Sequence, residues 1–332
     1  MGTSGTLLEE EVIFQERFSL DIQSGIRLLC LSLYLGALPL FSAKAQETDT
    51  IDVVNPAETT SLKVGKIEFA NGSSYEGGLK LGQMHGIGVF KYESGDVYEG
   101  EFVDGQLHGE GILTFANGDR YEGSFISGQF SGRGVLISVD GSRYEGEFES
   151  GLRHGVGVFK YANGGVYEGE FVDGQLHGKG ILTFAHGDRY EGSFISDQPS
   201  GRGVLSFIDG SRYEGEFESG LRHGVGVFKY ANGDVYEGEF VGGDPHGNGS
   251  LEFAAGHLYQ GEFKEGLMHG QGILTFASGH RYEGGFVGGR QHGVGTVYYL
   301  GGDRFEGSFV DGARKGKGIT YYANGDRVEG EY

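Results

Sequence analysis

The sequence predicts an all-β protein, an open antiparallel sheet of about 24 strands. Three observations predict this fold class: 67 of the 332 residues are glycine, glycine and tyrosine recur every 23 residues, and helical periodicity is absent after residue 60. A fixed period of roughly 20–50 residues is the sequence signature of a repeat protein. Because each repeat contacts only its neighbours, we expect an elongated rod rather than a globule.

Residues 1–45 are predicted to be a signal peptide. Residues 28–41 form an apolar run of the length of a signal core, and an Ala-Lys-Ala cleavage pattern ends at Ala45, after which the cut is expected. The preceding stretch is acidic where a signal is normally basic, so two alternatives stay open, an uncleaved membrane anchor over residues 26–41 or a soluble helix. A polar linker is expected over residues 46–63, and the mature protein is expected to be secreted or periplasmic.

The repeat region is predicted over residues 64–332. Half a repeat occupies residues 64–74, eleven repeats of 23 residues fill 75–327, and the opening strand of a twelfth lies at 328–332. A typical repeat, residues 98–120, reads YEGEFVDGQLHGEGILTFANGDR, and no insertion or deletion breaks the period. Positions are therefore numbered within the repeat, with the opening aromatic residue at position 1.

Each repeat is predicted to be a β-hairpin. Its arms, such as YEGEFV and GILTFA, alternate residue types with period two. Asn-Gly pairs such as Asn117-Gly118 predict type I′ turns, which need positive φ at both central residues. Glycine at positions 3 and 14, as at Gly100 and Gly111, leaves the backbone bare. We expect a cross-strand aromatic ring to cover it.

The spacing Tyr-x-Gly-x4-Gly-x3-Gly-x-Gly-x6-Gly, as in residues 144–164, resembles the MORN repeat (membrane occupation and recognition nexus). The resemblance implies a twisted, single-layer sheet with an aromatic-lined groove, and a scaffold, dimerisation or lipid-contacting role without catalysis. By analogy with the family, the groove aromatics are expected to bind a partner. They are Tyr98, Phe102, Phe115, Tyr121, Phe125, Tyr144, Phe148, Tyr167, Phe171, Tyr190, Tyr213, Phe217, Tyr236, Tyr259 and Tyr282.

Charge and spacing argue against several other kinds of partner. The net charge of −21 opposes binding to nucleic acid or to an anionic membrane. The glutamates at position 2 are expected to form a solvated stripe with some Arg–Glu pairs. Histidine recurs at position 11, but successive repeats place these side chains ~9–10 Å apart, too far to share a metal ion. Their expected role is structural, with the imidazole bonding to loop backbone.

An active site is singular, whereas this sequence is repetitive almost throughout, so we predict that the protein is not an enzyme. Gly312–Gly318 resembles a phosphate-binding loop but fails in spacing and in the missing Ser/Thr. No cofactor, metal or nucleic acid is expected. The predicted function is a non-catalytic exported scaffold that engages a protein partner or itself through the groove and through exposed strand edges at 64–70 and 328–332. The alternatives are a peripheral lipid-binding module and a hydrolase with an unrecognised site.

Overall fold

A computed structural model of the protein describes a strand at residues 44–49 and the continuous segment 62–332. Two compact units are present, one ending at Ala185 and one running from His186 to Tyr332. We refer to them as the N-terminal unit and the C-terminal unit. Most of the predicted signal peptide and linker lies outside the described residues. No helix within the described ranges has the length and apolarity needed to cross a bilayer.

The fold-class prediction is confirmed, since the described chain is all-β and carries the 24 predicted strands between residues 62 and 332. One further strand precedes them. In the N-terminal unit, consecutive strands pair antiparallel. Its strands are β1 (Lys44–Asp49), β2 (Lys63–Glu68), β3 (Ser74–Lys80), β4 (Gln83–Lys91), β5 (Val97–Val103), β6 (Gln106–Thr114), β7 (Arg120–Ile126), β8 (Gln129–Ile137), β9 (Arg143–Glu149), β10 (Leu152–Lys160), β11 (Val166–Val172) and β12 (Gln175–Thr183).

The C-terminal unit continues the same pattern. Its consecutive strands are also antiparallel neighbours, so each repeat again contributes two strands. Its strands are β13 (Arg189–Ile195), β14 (Gln198–Ser206), β15 (Arg212–Glu218), β16 (Leu221–Lys229), β17 (Val235–Val241), β18 (Asp244–Glu252), β19 (Leu258–Lys264), β20 (Leu267–Thr275), β21 (Arg281–Val287), β22 (Arg290–Tyr298), β23 (Arg304–Val310), β24 (Ala313–Tyr321) and β25 (Arg327–Glu331).

Strand β1 covers the edge that was predicted to be exposed at residues 64–70. It pairs with β2 from Lys44↔Glu68 to Asp49↔Val64, while β3 pairs with the other side of β2. The prediction of a free edge there is therefore wrong. Strand β1 also spans the cleavage site expected after Ala45 and the start of the predicted linker, where no strand was expected.

Two kinds of turn join the strands. Inside a repeat, Asp104 (φ +48°) and Gly105 (φ +84°) form a two-residue loop with both φ values positive, as a type I′ turn requires. Between repeats, Gly118 is left-handed (φ +98°), and its N–H donates to the carbonyl of Phe115. Asn117 is not left-handed, so this connection is a type I turn closed by a glycine bulge. The type I′ prediction at Asn-Gly is wrong, and that geometry lies at the Asp-Gly pair.

Candidate functional site on the tyrosine face

The face of the sheet that carries position 1 is held by a contact between one tyrosine and two glycines. Gly100 and Gly111 are Cα partners on β5 and β6. A Cβ added to Gly100 would lie 2.5 Å from Oη of Tyr98 and 2.6 Å from Cα of Gly111. A Cβ added to Gly111 would lie 2.6 Å from Cζ of Tyr98. The expected covering ring is confirmed, and it comes from the same repeat.

The hydroxyl of this tyrosine fixes the ring in place. Tyr98 donates to the carbonyl of Glu101 over 2.9 Å, and the same bond, from each tyrosine to the residue three further on, measures 2.7–3.0 Å in all ten tyrosine repeats. Burial raises the pKa of Tyr75 and of Tyr282 to about 12. Phe305 occupies position 1 of the last full repeat and has no hydroxyl to donate.

Edge-to-face ring contacts join successive repeats. The ring of Tyr98 lies 5.1 Å from that of Phe102 in its own repeat and 4.9 Å from that of Phe125 in the next. In the C-terminal unit Tyr259 repeats both contacts, at 5.1 Å with Phe263 and 4.9 Å with Phe286. Such pairs stabilise by about 0.5–1.5 kcal/mol each beyond the area they bury. The tyrosines and phenylalanines at positions 1 and 5 thus form the core.

Every side chain that the sequence singled out for binding is buried, none more than 9% exposed, and all except Phe115 at position 18 belong to this core. Whether these rings contact a partner stays a prediction. In this structure the rings at positions 1 and 5 are the floor of the tyrosine face, and the side chains at positions 10, 16 and 18, Phe115 among them, lie over it. The buried residues in question are Tyr98, Phe102, Phe115, Tyr121, Phe125, Tyr144, Phe148, Tyr167, Phe171, Tyr190, Tyr213, Phe217, Tyr236, Tyr259 and Tyr282.

In much of the N-terminal unit, positions 10, 16 and 18 close over that floor. Leu113 is fully buried and Phe184 is 2% exposed. In these repeats leucine at positions 10 and 16 and phenylalanine at position 18 pack against the position 1 and position 5 rings, and water is excluded. We call this set the closed stretch, and its members are Leu107, Leu113, Phe115, Leu176, Leu182 and Phe184.

From β18 onward in the C-terminal unit, positions 16 and 18 are no longer buried, and position 10 is partly exposed from Met268 onward. The covering side chains become thinner or more polar along this run, since position 10 changes from Met268 to Gln291 and position 16 from Leu274 to Val297. The floor beneath them stays buried, as Tyr259 and Tyr282 show. We call this set the open groove, and its members are Leu251, Phe253, Leu274, Phe276, Val297 and Tyr299.

The wall of the open groove is aromatic. The ring of His257 lies 6.2 Å from that of Phe253 and 5.6 Å from that of Phe276, and His280 lies 5.4 Å from Tyr299. This wall was not predicted from the sequence, because all repeats were treated as equivalent. The available signal was position 22, where imidazoles replace the aspartate or serine of most other repeats.

Two arginines at position 10 were also missed. The Arg153 side chain donates to the carbonyl of Gly174 over 2.6 Å and lies 4.8 Å from the Phe159 ring. Arg222 repeats the arrangement with the carbonyl of Gly243, at 2.9 Å. Arg153 also lines a small pocket of about 40 Å³ beside Ser138. Ser138 occupies position 18, where the neighbouring repeats carry an aromatic residue. These arginines brace adjacent hairpins.

The opposite face matches its predictions in part. Arg–Glu pairs are confirmed, as between Arg120 and Glu122 at 2.8 Å. The histidine prediction is matched at His85, whose Nδ1 accepts the backbone N–H of Asp104 over 3.5 Å. At His154 the imidazole Nε2 instead lies 3.2 Å from a carboxylate oxygen of Glu149. Across residues 62–332, no three His, Cys, Asp or Glu side chains gather into a group that could hold a metal ion.

Comparisons with known proteins agree with the repeat. The family model "MORN repeat" matches eleven consecutive segments that fill residues 75–327 without a gap. No curated protein matches the chain. Among solved structures, the chain is similar to the TCP10 domain of Danio rerio CPAP in complex with a STIL peptide, with 13% identity, 67% of this chain and 98% of that chain covered, and a TM-score of 0.37.

Two further solved structures show similarity at low scores. The SAS-4 TCP domain of Drosophila melanogaster, in complex with a proline-rich motif of Ana2, is 13% identical over 47% of this chain and 84% of that chain, with a TM-score of 0.31. Virginiamycin B lyase of Staphylococcus aureus is 11% identical over 88% of this chain and 89% of that chain, with a TM-score of 0.14. Scores this low establish neither a shared fold nor a shared function.

Proposed function

The chain belongs to the MORN repeat family, and from this premise we propose that it is a non-catalytic exported scaffold that binds a protein partner through the open groove. The observation that carries the proposal is the difference in burial at the same repeat positions between the closed stretch and the open groove. In the closed stretch the apolar side chains pack on each other, whereas Phe253, Phe276 and Tyr299 remain partly exposed. Exposed aromatic side chains in a row are the residues that anchor protein interfaces.

A comparison of surface variants tests this proposal. The full chain serves as bait in a pull-down from its own organism, beside Phe276→Ser in the open groove and Val294→Ser on the opposite face, where Val294 is 76% exposed. We expect the same partners with the native chain and Val294→Ser, and their loss with Phe276→Ser. Partners that survive both substitutions contradict a role for the groove. Circular dichroism confirms that each bait is folded.

Export rests on the apolar run at residues 28–41 and the cleavage pattern ending at Ala45. Amino-terminal sequencing of the protein from its own organism should begin at Gln46 in an extracytoplasmic fraction. A cytoplasmic product with an intact amino terminus contradicts it.

Self-association is proposed at the C-terminal edge strand β25. Val328 lies on that edge and is exposed, and edge strands offer unpaired backbone groups to another chain. Sedimentation of the full chain should show a concentration-dependent dimer that Val328→Lys weakens. A monomer at every concentration removes this part of the proposal.

Lipid binding is the competing function. Lys315 and Lys317 on β24 give it a cationic spot on the face opposite the tyrosines. Sedimentation with anionic and with neutral vesicles separates the two functions. Because the whole chain is strongly acidic, we expect no more binding than for an unrelated acidic protein. Anionic-vesicle binding that Lys315→Glu abolishes favours lipid instead.

A further inference from the structure

The open groove repeats one exposed aromatic residue per hairpin, and this spacing restricts what it can hold. Phe253, Phe276 and Tyr299 occupy position 18 of consecutive repeats. Adjacent strands lie about 4.8 Å apart, so equivalent residues two strands on recur every ~9.6 Å. An occupant that runs across the strands must therefore present a similar group at about this interval.

A polyproline II helix has a matching period. It has three residues per turn and a rise of about 3.1 Å per residue, so one face recurs every ~9.3 Å. An extended β-strand repeats its face every two residues, about 6.7 Å, and falls out of step with the hairpins. Polyproline II segments also dock on aromatic-lined grooves, because the helix is preformed and loses little conformational entropy on binding.

The charge at one end of the open groove favours an acidic residue on the occupant. Position 22 carries imidazoles at His257 and His280 beside the open groove, while Asp303 keeps a carboxylate there that accepts the backbone N–H of Ala323. At the far end, the Arg314 guanidinium lies 3.9 Å from the ring centroid of Phe305 and 5.8 Å from that of Tyr299. The Arg314 guanidinium therefore gives this end of the open groove a positive group that complements a carboxylate on an occupant.

We propose that the open groove binds a proline-rich segment of a partner in the polyproline II conformation, with an acidic residue at the end that reaches Arg314. The three aromatic residues span two intervals, about 19 Å, which six or seven residues of such a helix cover. This inference rests on the proposed protein-binding function and names the chemistry of its partner. Prolines of the segment stack on Phe253, Phe276 and Tyr299, since all three rings are partly exposed on one wall.

Fluorescence anisotropy of labelled peptides with the full chain tests this inference. The probe is a twelve-residue peptide with proline at every third position, leucine and alanine between, and glutamate at both ends. The matched control has the same composition with the prolines moved off the three-residue period. We expect saturable binding of the periodic peptide, at least tenfold tighter than the control, and a tenfold loss with Phe276→Ala but not with Val294→Ala.

The acidic end is tested by a second pair. Arg314→Gln should weaken the peptide with glutamate ends about threefold and leave a peptide with glutamine ends unchanged. Equal binding of periodic and control peptides, or no binding of either, overturns the polyproline II inference. If pull-down partners still depend on Phe276 in that case, the proposed function stands and only the occupant is wrong. If the periodic peptide does not bind and the pull-down partners do not depend on Phe276, the open groove is not a binding site.

Discussion

The closed stretch and the open groove are built on one backbone but present different surfaces. Both rest on tyrosines fixed over paired glycines, with the position 1 rings fully buried in Tyr98 and Tyr259 alike. They differ in positions 10, 16 and 18, where Leu113 is buried and Leu274 is partly exposed. The comparison shows that glycine and tyrosine specify the hairpin, while the side chains above them decide whether a repeat is sealed or able to bind.

High pH should unfold both regions, because each is built on buried tyrosines at position 1. The pKa of Tyr75 in one unit and Tyr282 in the other is raised from 10 to about 12 by burial. Between these pH values the unfolded chain has lost phenol protons that the folded chain keeps, so the free energy of unfolding falls as pH rises. We expect phenolate absorbance and loss of circular dichroism to appear together above pH 10. Complete ionisation of the tyrosines with an unchanged dichroism spectrum would show that these phenols are not held by the fold.

Truncation at position 16 should separate the two regions. Leu113→Ala removes a fully buried side chain and should lower the free energy of unfolding by about 2–5 kcal/mol. Leu274→Ala removes a partly exposed one and should cost about 1 kcal/mol, because water already reaches the site. Urea unfolding of both variants measures the difference. Equal losses would mean that the groove is as sealed as the closed stretch.

Alanine at position 3 should affect both regions equally. The added Cβ meets Oη of Tyr98 at 2.5 Å in Gly100→Ala and Oη of Tyr259 at 2.6 Å in Gly261→Ala. Each substitution should cost about 1–3 kcal/mol through overpacking. The control is Gly165→Ala, whose Cβ would meet no atom closer than 3.3 Å and should stay within about 0.5 kcal/mol of the native chain. A lower free energy of unfolding in only one of the two variants would contradict the claim that both regions rest on the same tyrosine–glycine contact.

A smaller effect links the turns of neighbouring repeats. At position 22, Asp234 accepts the backbone N–H of Ala254 over 2.8 Å, and Asp119 accepts that of Val139 over 2.8 Å. Gly165 occupies the same position without a side chain. Gly165→Asp should stabilise by about 1 kcal/mol and Asp234→Gly should destabilise by a similar amount, as urea unfolding would show. No change in either variant would mean that this bond has no net effect.

Much of this fold could be predicted from the sequence, because its signals are local. The hairpin period and the ring over Gly100 and Gly111 follow from alternation and from the space that glycine leaves. The turn types could not be separated by the Asn-Gly signal alone, since the loop at Gly118 holds one residue more than a type I′ turn does. Strand β1 lacks the alternation that identifies a strand.

The open groove is harder to predict because its residues look ordinary. Phe115 and Phe276 share position 18, yet the first is 9% exposed and the second is more open. Their exposure depends on neighbours from adjacent repeats, such as Gln291 and Val297, rather than on their own identity. Burial of this kind is a tertiary property, and a repeat that is uniform in sequence conceals it.

The central claim is that the tyrosine face is sealed in the closed stretch and accessible in the open groove. Thiol labelling tests it in a Cys30→Ser chain, where Cys30 is the single native cysteine. Leu113→Cys and Leu274→Cys place one thiol in each region, and the native-state rate of reaction with a maleimide is measured for both. The account predicts labelling at least tenfold faster at position 274. Equal rates, or faster labelling at position 113, would contradict it.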